Sequence, residues 1–251
     1  MRFLQCTLSS DLDNLILVPL GDFHIGDPLH DGPGLTRAIA WIVERPNAYA
    51  VLLGDYCNFV TKSSKGEIFN QMEPQEQKKR AIADLAPLKG RVLAVCAGNH
   101  DLRIYRETGL KPAEDIAVSL DAPYVEDGTL IWLRFGRYKG RQRSYHIYAT
   151  HGWAGGKQAG NKLNNLVGIS GHVDADVYLL GHGHVVTPFK KLRVRIDERA
   201  GRVRYDTQAF LSCASFLGWG GYAERGGYPP GARGLPRVIL GAKERDMEVT
   251  M

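Results

Sequence analysis

The stretch Arg91–Leu102, RVLAVCAGNHDL, decides how this chain is read. The apolar run RVLAVC gives way after Gly98 to an amide, an imidazole and a carboxylate: Asn99, His100 and Asp101. A short continuous apolar run suits a strand buried on both faces of a sheet. Ligands of open α/β sheets bind where such strands end, and these three side chains stand at that point.

The same arrangement recurs along the chain. NLILVPL (14–20) runs into Gly21-Asp22-Phe23-His24, and AYAVLL (48–53) into Gly54-Asp55. Further on, SYHIYAT (144–150) meets His151-Gly152, and DVYLL (176–180) meets Gly181-His182-Gly183-His184. Helical patterns at 34–45 and 73–88 separate the first three runs. Strand–helix–strand alternation predicts α/β layering with parallel strands. After residue 122 the character changes, and 128–150 and 189–211 read as hairpins with basic, glycine-containing turns.

Bulk properties narrow the class. A length of 251 residues favours one large domain, 1–251, with a Gly/Pro/Tyr-rich surface loop near 218–235. The four cysteines lie far apart with no C-x-x-C pair, which speaks against a cysteine zinc site and a disulfide framework. They read as reduced thiols of a cytoplasmic protein. The N-terminal segment MRFLQCTLSSDLDNL lacks the apolar core of a signal peptide, and no run has the roughly 18 apolar residues of a membrane span. The net charge of +5 permits a polyanionic partner without requiring one.

Five strand ends thus offer Asp22, His24, Asp55, Asn99, His151, His182 and His184 to one place. Imidazole, carboxylate and amide donors without a thiolate suit two divalent ions. Manganese is the first choice, with iron, zinc, nickel or magnesium as alternatives. In Asp22-x-His24 and His182-x-His184 an extended backbone would send both side chains to one side. Each motif alone reads more simply as a turn, a cap or a core residue; their order and placement carry the reading.

This ordered set resembles the calcineurin-like metallophosphoesterases across residues 21–184. The resemblance implies an α/β fold, an αββα sandwich of two mixed sheets flanked by helices. It implies one ion held by Asp22, His24, Asp55 and His184, and a second by Asp55, Asn99, His151 and His182. It also implies that His100 faces the substrate, with Asp101 as its catalytic partner. From the residues alone, Asp101 either fixes the tautomer of His100 or caps the following helix. Two divalent ions bring about +4 of charge against −2 from the aspartates, which attracts a phosphate ester and lowers the pKa of a bound water. His100 is the candidate for protonating the leaving group.

DFHIG resembles the opening motif of the repair-exonuclease and phosphodiesterase branch more than that of the Ser/Thr protein phosphatases. No Asp-Arg-Gly follows the second motif, and Asp101 stands where the phosphatases carry a Glu. Basic residues cluster in 134–143 and alternate in KKLRVR (190–195), which suits a DNA or RNA substrate or, equally, a solvated face. The segment WAGGKQAGNKLNNL after Gly152 reads as a loop offering Trp153 for base stacking and Lys157 and Lys162 for phosphate. Its flavour resembles small phosphoesterases of bacteriophages and prophages. His30 and Asn58 are further substrate-contact candidates, whereas His146 and His172 read as packing or solvent positions. The leading expectation is a dinuclear-metal-dependent phosphodiesterase or nuclease. A phosphomonoesterase is the alternative, and a non-catalytic metal-binding scaffold comes third.

Overall fold

The structure, a computed structural model, describes residues 1–62, 64, 72–153 and 158–251. The apolar runs become strands: β2 (Asn14–Leu20), β3 (Ala48–Leu52) and β4 (Val92–Cys96) lie parallel and adjacent. β7 (Arg141–Thr150) and β8 (Val177–Leu180) form a second parallel pair. The two groups do not share a sheet. A six-stranded sheet is built around each.

One sheet places β2, β3, β4 and the short β5 (Tyr124–Val125) beside β11 (Arg237–Gly241) and the edge strand β12 (Met247–Thr250). The other runs from β1 (Arg2–Thr7) through β6 (Thr129–Tyr138), β7 and β8 to β10 (Arg202–Ser212) and the edge strand β9 (Thr187–Asp197). Both sheets are mixed, because β11, β12 and the β6–β7 and β9–β10 hairpins pair antiparallel.

Alternation along the strands builds the layers. Leu15 and Leu17 of β2 and Val51 of β3 meet Ile131, Leu133, Ile147, Val177 and Leu211 in the core between the sheets. Val18, Leu20, Ala50 and Leu52 point the other way, onto α1 (Gly32–Val43), α2 (Pro74–Leu85) and α4 (Pro112–Ser119). On the far side of the second sheet, Tyr178 and Phe210 stack at 4.8 Å beneath Leu166 and Ile169 of α5 (Ala159–Ile169). The order is helix, sheet, sheet, helix. It is the αββα sandwich that the resemblance implied.

Helix α1 starts two residues before its expected 34, because Asp31 accepts a hydrogen bond from the Gly34 amide and Pro33 sits in the first turn. Leu35, Ala38, Ile39 and Ile42 form its buried stripe. The segment after Gly152 departs further from expectation: residues 159–169 are helix α5 and not loop. The glycines suggested a loop, but packing of Leu166 and Ile169 on the sheet outweighs the roughly 1 kcal/mol that each glycine costs a helix. Among the described residues no helix is long and apolar enough to cross a membrane.

Candidate metal centre

The candidate ligands converge where the C-terminal ends of β2, β3 and β4 face those of β7 and β8, so both sheets contribute. Backbone bonds sew the loops together. The Asp22 amide donates to the Gly54 carbonyl at 3.0 Å, and those of Phe23 and His24 donate to the Asp55 carbonyl. The Asp22 carboxylate accepts from the His182 amide at 2.9 Å and from Cys213 Sγ at 3.2 Å, which ties the first sheet to the second.

Backbone conformation marks the same residues. Eight non-glycine residues among those described have positive φ; five are Asp22, His24, Asp55, His182 and His184, between 50° and 61°. Each such conformation costs on the order of 1–3 kcal/mol and persists where the surroundings over-determine it. The i, i+2 ligand pairs therefore reach the centre through left-handed turns, not through the extended backbone that their spacing suggested. Two glycines make the approach possible. A Cβ on Gly54, at φ +92°, would lie 2.4 Å from the Gly98 amide nitrogen, and one on Gly98 would lie 2.2 Å from Asp55 Oδ1.

The donor atoms form two groups around Asp55. In the first, His184 Nε2 lies 3.2 Å from His24 Nε2 and 3.3 Å from Asp22 Oδ1. In the second, His151 Nε2 lies 3.0 Å from Asn99 Oδ1, 3.1 Å from His182 Nδ1 and 3.4 Å from Asp55 Oδ2. Ligands about 2.0–2.2 Å from one ion, at right or tetrahedral angles, stand roughly 2.8–3.6 Å from each other. Asp22, His24 and His184 thus form one compact set that could hold a cation, and Asp55, His151 and His182 another. His24, Asp55 and His100 form a third grouping, which puts His100 against the first set.

Electrostatics fit a cation. Burial pushes the Asp22 carboxyl up, but attraction to His184 and a hydrogen bond with it outweigh burial and hold the group at about 2. Asp55 is likewise driven well down despite its burial, by His151 and His100. Burial opposes protonation of His151, yet Asp55 attracts the proton strongly enough to raise the ring to about 10. His24 goes the other way, to about 3, through burial and repulsion by His100. Its buried Nδ1 has no partner among the described residues. Two ionised carboxylates facing neutral and proton-holding imidazoles are a donor set in which divalent ions can replace protons.

Supporting bonds orient the rings. His151 donates from Nδ1 to the Leu53 carbonyl at 2.6 Å, which leaves Nε2 free to face a cation, as in the outer shell of metal-binding histidines. His100 donates from Nδ1 to the Asn58 carbonyl at 2.6 Å. Asp101 does not meet that nitrogen. Its Oδ2 accepts from the Gly98 and Asp55 amides at 2.8 and 2.9 Å, capping α3 (Asn99–Thr108) and fastening the Asp55 loop to it. Burial, with repulsion from Asp55 adding to it, raises its carboxyl to about 7. Of the two roles open in the sequence, these contacts are those of the cap.

The substrate-contact candidates are placed less uniformly. Asn58 spends its side-chain amide on Asp27 at 3.0 Å, and His30 Nδ1 donates to the Phe23 carbonyl at 2.8 Å. Lys162 Nζ donates to the Gly183 carbonyl, bracing the His182–His184 turn. Trp153 is exposed. Lys157 lies outside the described residues. The basic turn of 134–143 stands at the start of β7, a ten-residue strand whose other end carries His151. That length is roughly 30 Å, so those cations do not reach the centre. In KKLRVR, Arg193 and Arg195 both pair with Asp174.

Several contributors escaped sequence reading. Cys213 and Ser215 hold Asp22, the latter donating to its carbonyl at 3.2 Å. The apolar run QAFLS before Cys213 was the available signal, since it is one more strand ending at this edge. Arg103, one turn beyond His100, feels the Asp55 charge, which opposes the lowering of its pKa by burial. The 218–235 segment also reaches the site: a Cβ on Gly231 would lie 2.9 Å from the His184 carbonyl, and Arg233 pairs with Asp31 at 3.0 Å.

No protein-family model and no curated protein matches the chain. Among solved structures it is similar to the calcineurin-like phosphoesterase YfkN from Bacillus subtilis, at 11% identity and a TM-score of 0.40, over 81% of this chain and 91% of that one. It is also similar to the NAD nucleotidase NadN of Haemophilus influenzae, at 9% identity and a TM-score of 0.44. That match covers 95% of this chain and 49% of NadN, so the chain spans about half its length.

Proposed function

We propose that this protein is a dinuclear-metal-dependent phosphoester hydrolase of the calcineurin-like type, acting on phosphodiesters of nucleotides or nucleic acid. The observation that supports the reading is the pair of candidate ligand sets, Asp22, His24 and His184 beside Asp55, His151 and His182, with donor atoms 3.0–3.4 Å apart. Asp22, His24, Asp55 and His184 would hold one divalent ion, manganese first, and Asp55, Asn99, His151 and His182 the other. Such ions, when bound, acidify water and neutralise phosphoryl oxygens.

The chain's own groups supply the rest. His100 Nε2 stands 3.9 Å from Asp55 Oδ2, at the rim of the first set, with its ring fixed from behind by the Asn58 carbonyl. A proton at that Nε2 serves a departing alkoxide; burial lowers the pKa of the ring, and Asp55 and the Asn58 carbonyl only partly oppose it, so the proton is readily given up. Arg103 adds positive charge beside the same edge. The phosphatase-type Asp-Arg-Gly and Glu are lacking, which supports a diester preference. With the 134–143 cations remote and Arg193 and Arg195 paired, a short nucleotidyl substrate fits better than long nucleic acid. Four free thiols suit a cytoplasmic setting.

Hydrolysis of bis-p-nitrophenyl phosphate and of p-nitrophenyl phosphate, with manganese, tests this on wild type and Asp55→Asn. Diester preference that vanishes in the variant is expected. Monoester preference would shift the reading to a phosphomonoesterase. Two bound metals with no turnover of either ester would favour a binding scaffold.

A further inference from the structure

The hairpin β9–β10 extends the second sheet past the cover of the first. Every second rung of its register faces the first sheet: Pro188 opposite Leu211, Lys190 opposite Ala209, then Leu192–Thr207, Val194–Tyr205 and Ile196–Val203. Leu211 and Ala209 belong to the core between the sheets. Lys190 Nζ reaches the Met247 carbonyl on edge strand β12 at 3.1 Å, and there the cover stops. The apolar alternation does not stop. Leu192, Val194, Ile196, Val203 and Tyr205 continue the same face, exposed from 55% at Val203 to 78% at Ile196.

The opposite face of the hairpin carries ion pairs. Arg193 and Arg195 pair with Asp174, and Arg204 Nε donates to Asp206 at 2.6 Å. The hairpin is therefore two-faced, with cations kept off the apolar side beyond Lys190. A polyanion would find only Lys190 on that side, at its covered end and already donating to the Met247 carbonyl, whereas a surface like itself would meet little repulsion across the apolar part.

We propose that this face is where two copies of the chain associate, hairpin packed against hairpin about a two-fold axis. An isologous contact needs one self-complementary patch, and an apolar patch without charges is one. At their present exposure the five side chains offer on the order of 200–400 Å² of apolar surface per copy, taking about 60–120 Å² for each side chain in full. With backbone and rim counted, two copies bury roughly 1,000 Å², the lower limit for a biological interface and the size of a weak, reversible one. β9, the last strand of its sheet, also presents an edge that such a contact would shield.

Analytical ultracentrifugation of the full chain tests this, with Val194→Lys and Ile196→Lys as interface variants. Val118→Lys, on exposed α4 away from the hairpin, serves as control. The expected result is a wild-type dimer dissociating in the micromolar range, about tenfold or more weaker in each hairpin variant and unchanged in the control. Both hairpin positions are exposed, so circular dichroism should show native folding, and either variant suffices for the reading. A wild type that stays monomeric to about 1 mM overturns the proposal, as does a dimer that both variants leave intact.

Discussion

His100 Nδ1 donates to the backbone carbonyl of Asn58 at 2.6 Å, and this bond leaves Nε2 as the nitrogen turned toward Asp55. The catalytic candidate is thus oriented by the loop that follows β3, not by the carboxylate next to it in sequence.

Replacing His100 with Ala should leave both ions bound, since the ligand sets hold without it. Turnover should fall by about 10²–10⁴ on esters with alkoxide leaving groups, and far less on nitrophenyl esters, whose leaving group needs no proton. Metal analysis beside kcat for the two ester types checks this. Loss of metal in the variant would make His100 a ligand.

In the proposed centre Asp55 is the shared carboxylate; its Oδ2 lies 3.4 Å from His151 Nε2, and it also groups with His24 of the first set. Asp55→Asn should weaken both ions at once, with metal affinity and hydrolysis dropping by at least about 100-fold. Chelation of the wild type should lower its Tm, because ions that bind only the folded chain stabilise it. Thermal scans with and without chelator, on both proteins, give the comparison; the variant should respond little.

Asp101 satisfies two buried amides from two loops. Asp101→Ala would orphan both and should cost about 2–4 kcal/mol of stability, at roughly 1–2 per amide. Urea unfolding measures it. A loss below about 0.5 kcal/mol would mean that water takes over the carboxylate's place.

Asp174 is held below the ordinary aspartate range: burial opposes, but hydrogen bonds from Arg195 and Arg193 prevail. A lowered folded pKa adds stability that is present above the unfolded value and lost as pH falls through the folded one. Acidification below about pH 4 should therefore loosen the hairpin locally. Hydrogen exchange in β9 should accelerate there, and Asp174→Asn should exchange fast already at neutral pH. The carboxylate is exposed, so global stability should change little.

Part of this molecule is written locally. A strand buried on both faces needs apolar residues at every position, so NLILVPL, AYAVLL and RVLAVC announce β2, β3 and β4. The weaker strands β1, β11 and β12 carry mixed patterns, because each stands at or near a sheet edge with one side toward solvent. Helix α5 was hidden by its glycines, since its stability comes from Phe210 and Tyr178 beneath it rather than from its own propensity.

Local pattern sets the chemistry on offer: which donors exist, and that each follows a buried strand. Both are matters of residue type and short-range period. Only the tertiary structure decided which donors meet. It assigned Asp101 to two amides, set Cys213 against Asp22, carried the 134–143 cations to the far end of β7 and brought Gly231 beside His184. It also chose left-handed backbone for five candidate ligands, a strain that no local preference would select and that contacts from other loops maintain. Those outcomes depend on distances between segments far apart in the chain. Such distances follow from how the layers pack, and no local pattern encodes them.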